Sequence, residues 1–170
     1  MRGSNTTLKD LETFFDMVRA KHGENMVFLV GHSMGGTIAT AYVPDHQHEL
    51  AGLVLSGPGL KVPPKVSPLL IALAPIGSLL LPKMGVHSLD PATVSRDKAV
   101  VDALLNDPLC YHGRISARLG AGLIKAYKQL RSQMAKITLP ILIMHGTADW
   151  LSDPEGSQIL YEQLVQKTRR

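Results

Sequence analysis

The chain has one cysteine, Cys110, in 170 residues. No disulfide can therefore form within it, which suits a reducing compartment. No secretory leader is expected either, since Met1 to Asp10 is polar, and a cytoplasmic location is the expectation. Charge of one sign is scarce: 18 Lys and Arg stand against 14 Asp and Glu, a formal balance of +4. The basic residues are scattered apart from Lys167, Arg169 and Arg170, which read as a solvated chain end, so no nucleic-acid partner is expected. No apolar run is long and continuous enough to cross a membrane. The strongest, Val66 to Pro82, is short and interrupted by Pro75. A zinc site is disfavoured too: His46 and His48 lie in a polar loop with no third ligand nearby, and read as solvent-facing. What is present is an ordinary globular composition, 45% hydrophobic, of a length suited to one domain.

The most informative stretch runs from Met26 to Thr37. An apolar run, Met26-Val27-Phe28-Leu29-Val30, stops at Gly31, and His32, Ser33, Met34, Gly35 and Gly36 lead into a helical pattern. This is G-x-S-x-G between a strand signal and a helix signal. It predicts a turn sharp enough to lift Ser33 Oγ clear of the sheet, a nucleophile elbow. Gly31 and Gly35 fall where a side chain would collide with the neighbouring strand or helix. The helix that follows aims free N–H groups and the positive end of its dipole at the serine, which suits a developing oxyanion. The competing reading is a glycine-rich turn with a bystander serine.

Around this stretch the chain alternates strand and helix. Thr7 to Gly23 reads as a helix, with Thr7 and Asp10 as a capping-box-like start and Leu11, Phe14, Phe15 and Val18 as one apolar stripe. The helix after the elbow should end at Pro44. Ala51 to Ser56 is a second apolar strand, so strand, helix and strand form a βαβ unit with parallel strands, each covered on both faces. Leu60 to Leu130 holds most of the prolines and no clear strand. Its apolar part reads either as a helix pair packed over the sheet or as a lid whose apolar face receives a lipid chain or touches a membrane. Leu89-Asp90-Pro91 and Asp107-Pro108-Leu109 look like helix boundaries, and His112 reads as structural or as facing a pocket. Ile141 to Met144 is a third strand, and Asp149 lies just past its C-terminal end, where α/β sheets bind ligands. That is the place of the orienting acid of a triad, in the chain order Ser, Asp, His. A turn or helix-capping role is the alternative for Asp149. Asp153, before Pro154, is the rival acid and reads as an N-cap. Glu155 to Lys167 closes the chain as a helix.

The segments GHSMGG, LDPATVSRDKAVVDALLNDPLCYHG and LPILIMHGTADWLSDPEG, with the apolar insertion, resemble the monoacylglycerol lipase and lysophospholipase branch of the α/β-hydrolases from about Thr7 to the chain end. The resemblance implies a partial α/β-hydrolase fold of three parallel strands with flanking helices. Residues 1–59 would be the elbow part of the core, 60–131 a helical lid over an acyl-chain tunnel, and 132–170 the strand with the acid and the closing helix. It implies Ser33 as nucleophile, Asp149 as triad acid, the Met34 N–H as one oxyanion donor, a lipid ester as substrate and no cofactor. Peripheral membrane contact through the lid and self-association through exposed strand edges are further expectations.

The departures from the family pattern are specific. None of the seven histidines follows Asp149, where the family carries its base. His32 belongs to the elbow, and His145, the nearest substitute, is expected to aim away from Ser33. No HG-type loop precedes Thr7 to supply a second oxyanion donor. The expectation is thus the middle of a hydrolase, of marginal stability alone. Its rivals are an inactive remnant that binds lipid or a partner, and an acyltransferase using the same residues with an alcohol other than water.

Overall fold

The structure, a computed structural model, describes residues 3–23, 27–63 and 66–168. The expected strand start at Met26, and Arg169 and Arg170, lie outside the described residues.

A 20-residue helix, α1 (Gly3–His22), opens the fold. It begins before Thr7, which therefore lies inside the helix and does not cap it. Gly23 ends it as expected, at φ +71° with its N–H 2.8 Å from the Arg19 carbonyl. Of the anticipated stripe only Phe15 is fully buried, while Phe14 is 61% exposed. Strand β1 (Phe28–His32) leads through Ser33 into α2 (Met34–His46). The helix runs on through Pro44. A proline there removes one N–H donor, the one that would bond to the Thr40 carbonyl, and the final turn continues with the His46 ring stacked on Tyr42 at 3.9 Å. His46 is thus packed rather than solvent-facing, and with His48 it approaches Glu49, which also pairs with Arg19.

Strand β2 (Gly52–Ser56) pairs in parallel with β1 on one side. On its other side it pairs in parallel with the strand of residues Ile141–Met144. Between the last two lie helix α3 (Pro68–Leu80), strand β3 (Gly85–His87), helix α4 (Lys98–Asn106), strand β4 (Ile115–Ser116) and helix α5 (Ala117–Gln133). Ile141–Met144 is thus β5, and α6 (Pro154–Thr168) follows it. The three parallel strands match the expected order of connection, with β2 central. The insertion departs from expectation: β3 and β4 form a small antiparallel pair. Both are too short to leave an apolar run, so periodicity could not reveal them. Helix α5 crosses the anticipated 131/132 boundary and buries Leu130 in the core.

Register divides the sheet into two faces. Leu29, Leu53 and Ile141 align across the strands, as do Gly31, Leu55 and Ile143. This face packs on Val43 of α2, Leu130 of α5, Met134 and Leu160 of α6. Leu53, Leu55 and Leu160 are at most 1% exposed, and burying each such side chain is worth about 1.5–3 kcal/mol. The opposite face carries Phe28, Val30, Leu142 and Met144, exposed by 63, 68, 53 and 47%. Among the described residues the strands are therefore covered on one face only, a correction to the reading that their lack of alternation meant cover on both. No helix among the described residues is long and apolar enough to cross a membrane.

Candidate active site

His32, Ser56 and Met144 end their strands side by side, which sets Ser33, Gly57 and His145 in a row just past the sheet. Ser33 has φ 50° and ψ −117°, and is the one non-glycine residue with positive φ among the described residues. Such backbone costs on the order of 1–3 kcal/mol and persists only where neighbours over-determine it. They do so here. The Ser33 N–H donates to the Ser56 carbonyl at 3.0 Å, and its own carbonyl accepts from Gly59 N–H at 3.1 Å and Thr37 N–H at 3.2 Å. A Cβ on Gly31 would lie 2.7 Å from the Gly35 carbonyl oxygen, so only glycine lets the helix start close against the strand. The same argument fails at Gly35, where a Cβ would meet nothing within 4 Å. The crowded glycine is Gly36, whose Cβ would sit 2.6 Å from Pro58 Cβ. The loop of Gly57, Pro58 and Gly59 therefore presses on the elbow. It is tied further by the Thr37 hydroxyl, which donates to the Gly59 carbonyl at 2.5 Å. Tyr127 of α5 packs beside Gly59, and burial pushes its phenol up.

Met34 is the first residue of α2 and is half exposed. N–H groups in a helix's first turn have no intrahelical acceptor, so they are open to an anion.

Asp149 stands beyond β5, across Gly57 from His32. Its Oδ1 accepts from the N–H groups of Leu151 at 2.8 Å and Ser152 at 2.9 Å. Its Oδ2 lies 3.4 Å from where a Cβ on Gly57 would stand, and His32 Cε1 lies 3.8 Å from the same point. Gly57, at φ +50°, is therefore both a backbone requirement and a gap between the acid and the elbow. His32 Nδ1 is 2.9 Å from the Ser56 carbonyl, to which it donates.

The other candidates separate from this row. The Asp153 carboxylate accepts from Glu155 N–H at 3.0 Å at the start of α6, the N-cap role expected of it. It also pairs with Lys61 at 3.0 Å. Burial alone would push its carboxyl up, but the hydrogen bonds from Lys61 and Glu155 outweigh that and hold it below its ordinary value. His112 is exposed, with Nε2 3.3 Å from the Asp107 carbonyl of its own loop. His145 is packed against Ser152 and Ser157, at hydrogen-bonding distances of 3.0 and 2.7 Å. Its position next to a candidate acid was visible in the sequence, but its partners, Ser152 of the turn after Asp149 and Ser157 of α6, could not be read there. A groove of about 370 Å³ between β5 and α6, lined by residues such as Ile143 and Tyr161, holds neither Ser33 nor Asp149.

Comparison with known proteins bears on this arrangement. The family profile described as "Serine aminopeptidase, S33" matches residues 1–170. The chain belongs to this family of α/β-hydrolases. Among relatives of this hydrolase chain, the monoacylglycerol lipase of Mycolicibacterium smegmatis is 33% identical over 165 residues, 97% of this chain and 59% of that protein. The monoglyceride lipase of Rattus norvegicus is 31% identical over 156 residues, 91% of this chain and 52% of that protein. The crystal structure of Paleococcus ferrophilus monoacylglycerol lipase superposes with a TM-score of 0.80 at 31% identity, covering 92% of this chain and 61% of that one. The hydrolase chain thus spans between about half and three-fifths of the length of these relatives. Its sheet and helices are part of an α/β-hydrolase fold.

Proposed function

We propose that the chain carries the nucleophile and the acid of a carboxylic ester hydrolase of the monoacylglycerol lipase or lysophospholipase type. The observation that carries this reading is Ser33, held at positive φ between β1 and α2 by three backbone hydrogen bonds. Such strain at a half-buried serine is the arrangement a nucleophile elbow requires. The names of the relatives, monoacylglycerol and monoglyceride lipase, support the substrate class.

In the mechanism Ser33 Oγ attacks the ester carbonyl and gives its proton to a base. The tetrahedral oxyanion forms beside the first turn of α2, where the Met34 N–H donates to it. Collapse expels the alcohol and leaves an acyl-serine, which water cleaves to the free acid. Asp149 orients the base through Oδ2, the oxygen beside Gly57. No histidine follows Asp149 in the sequence, so the base is not assigned to a residue of this chain. The insertion is the lid: α3 presents Leu69, Leu73, Ile76 and Leu79 to solvent, an apolar surface suited to an acyl chain or a membrane face. A cytoplasmic protein with peripheral lipid contact fits this surface.

A second reading, a hydrolase-fold chain that binds lipid or a partner without turnover, is favoured by the exposed apolar surface of α3. Hydrolysis of short and long p-nitrophenyl esters, with Ser33→Ala in parallel, tests both. Turnover abolished by the substitution is expected under the first reading. No turnover and no fluorophosphonate labelling of Ser33, from folded protein, would leave the second.

A further inference from the structure

The His145 side chain is 7% exposed, and a buried imidazole must have its ring nitrogens satisfied. Nε2 lies 3.0 Å from the Ser152 carbonyl oxygen, and Nδ1 lies 2.7 Å from Ser157 Oγ. A carbonyl only accepts, so the proton of the neutral ring is on Nε2. Nδ1 is then the acceptor for the Ser157 hydroxyl. Both serines are themselves buried, at 6 and 7% exposure. Nε2 is also 3.5 Å from Asp149 Oδ2. That distance is outside good hydrogen-bonding range, and the one N–H is already directed at Ser152. His145 therefore reaches the acid through Ser152, whose N–H donates to Asp149 Oδ1 at 2.9 Å.

The contacts form one chain from α6 to the acid: Ser157 hydroxyl, His145 ring, Ser152 backbone, Asp149 Oδ1. With Oδ1 held by Leu151 and Ser152, Oδ2 is the oxygen left beside Gly57. We propose that His145 is a positioning residue for Asp149: its ring ties the 149–152 turn to α6 and so keeps Oδ2 turned towards Gly57 and the elbow. Its value to catalysis rests on the reading of Asp149 as the triad acid. The ring nitrogens are directed at Ser152 and Ser157, so this role is separate from that of the general base.

A histidine that merely filled the core would pin α6 to β5 without affecting the acid's turn. Nuclear magnetic resonance of the ¹⁵N-labelled chain separates the two. In the wild type, the imidazole nitrogens of His145 are expected to report a protonated Nε2 and a hydrogen-bonded, unprotonated Nδ1. A proton on Nδ1, or two averaged nitrogens, would overturn the proposal with no variant needed. His145→Gln keeps a donor for the Ser152 carbonyl, whereas His145→Phe keeps volume without one. The amide protons of Leu151 and Ser152 are expected to stay in place in the Gln variant and to move upfield in the Phe variant, with α6 amides unchanged. Loop amides that ignore both substitutions would overturn it, as would loop and α6 amides that shift together. None of these signals needs turnover. A chain inactive towards esters would defeat the hydrolase reading and leave this one standing.

Discussion

At Gly31 and Gly36 the elbow has no room for a methyl group, and at Gly35 it has ample room. Gly31→Ala and Gly36→Ala force backbone apart and are expected to cost about 1–3 kcal/mol. Gly35→Ala lies in the first turn of α2 and is expected to be neutral or to stabilise by up to about 1 kcal/mol. Denaturant unfolding of the three variants checks this, and a Gly35→Ala variant as damaged as the other two would contradict the geometry. The ion pair of Lys61 with Asp153 makes a second prediction at this scale. The folded-state value of Asp153 lies below its ordinary 3.8, so its contribution is full above that pH and is lost as pH falls through the lower folded value. Hydrogen bonds to Glu155 and Asp153 raise Lys61 above 10.5. Its contribution is full below that pH and lost as pH rises through the folded value. Lys61→Met should therefore flatten the acid limb of a stability-versus-pH curve more than Lys9→Met, which removes a charge on α1.

Helix by helix, burial decides which apolar side chains matter for stability. Leu160 of α6 is fully buried, whereas Leu79 of α3 is 81% exposed. Leu160→Ala is expected to cost about 2–5 kcal/mol, and Leu79→Ala less than about 0.5 kcal/mol. Under the proposed function, the exposed leucines of α3 serve lipid binding instead. A double substitution, Leu79→Glu with Leu80→Glu, is expected to abolish co-sedimentation with phosphatidylcholine vesicles while leaving the melting temperature unchanged. Retained vesicle binding would remove α3 as the contact. The apolar run Val66 to Pro82 is legible as helical, but α5 is not singled out, and nothing local points to β3 and β4, whose pairing is long-range. A sequence rule also stops α2 at Pro44, because it cannot see Tyr42 and His46 stacked across the final turn.

Among the described residues, one sheet face is covered and the other is bare. Phe28 and Val30 of β1 and Leu142 and Met144 of β5 are exposed on this face, with half-buried Val54 of β2 aligned between Val30 and Leu142. Patches of this kind drive association when nothing covers them. The outer edges of β1 and β5 add unpaired backbone groups. Light scattering of the wild-type chain is expected to show concentration-dependent self-association, reduced by Val30→Lys with Leu142→Lys. A wild-type chain that stays monomeric at high concentration would show that this face is not adhesive.

Local sequence by itself determined the elements and their punctuation: the parallel strand-helix-strand unit around Ser33, the stop at Gly23 and the N-cap at Asp153. Each depends on interactions within a few residues, so the order of residue types suffices to specify it. The family was legible for the same reason, since G-x-S-x-G between strand and helix is a local pattern. The tertiary structure alone decided which glycine the elbow cannot lose, which sheet face is covered, and what His145 touches. Pro58 meets Gly36, Leu160 meets the sheet and Ser157 meets His145 only after distant segments pack together. Contacts of that kind are set by the closing of the fold, which no local pattern encodes.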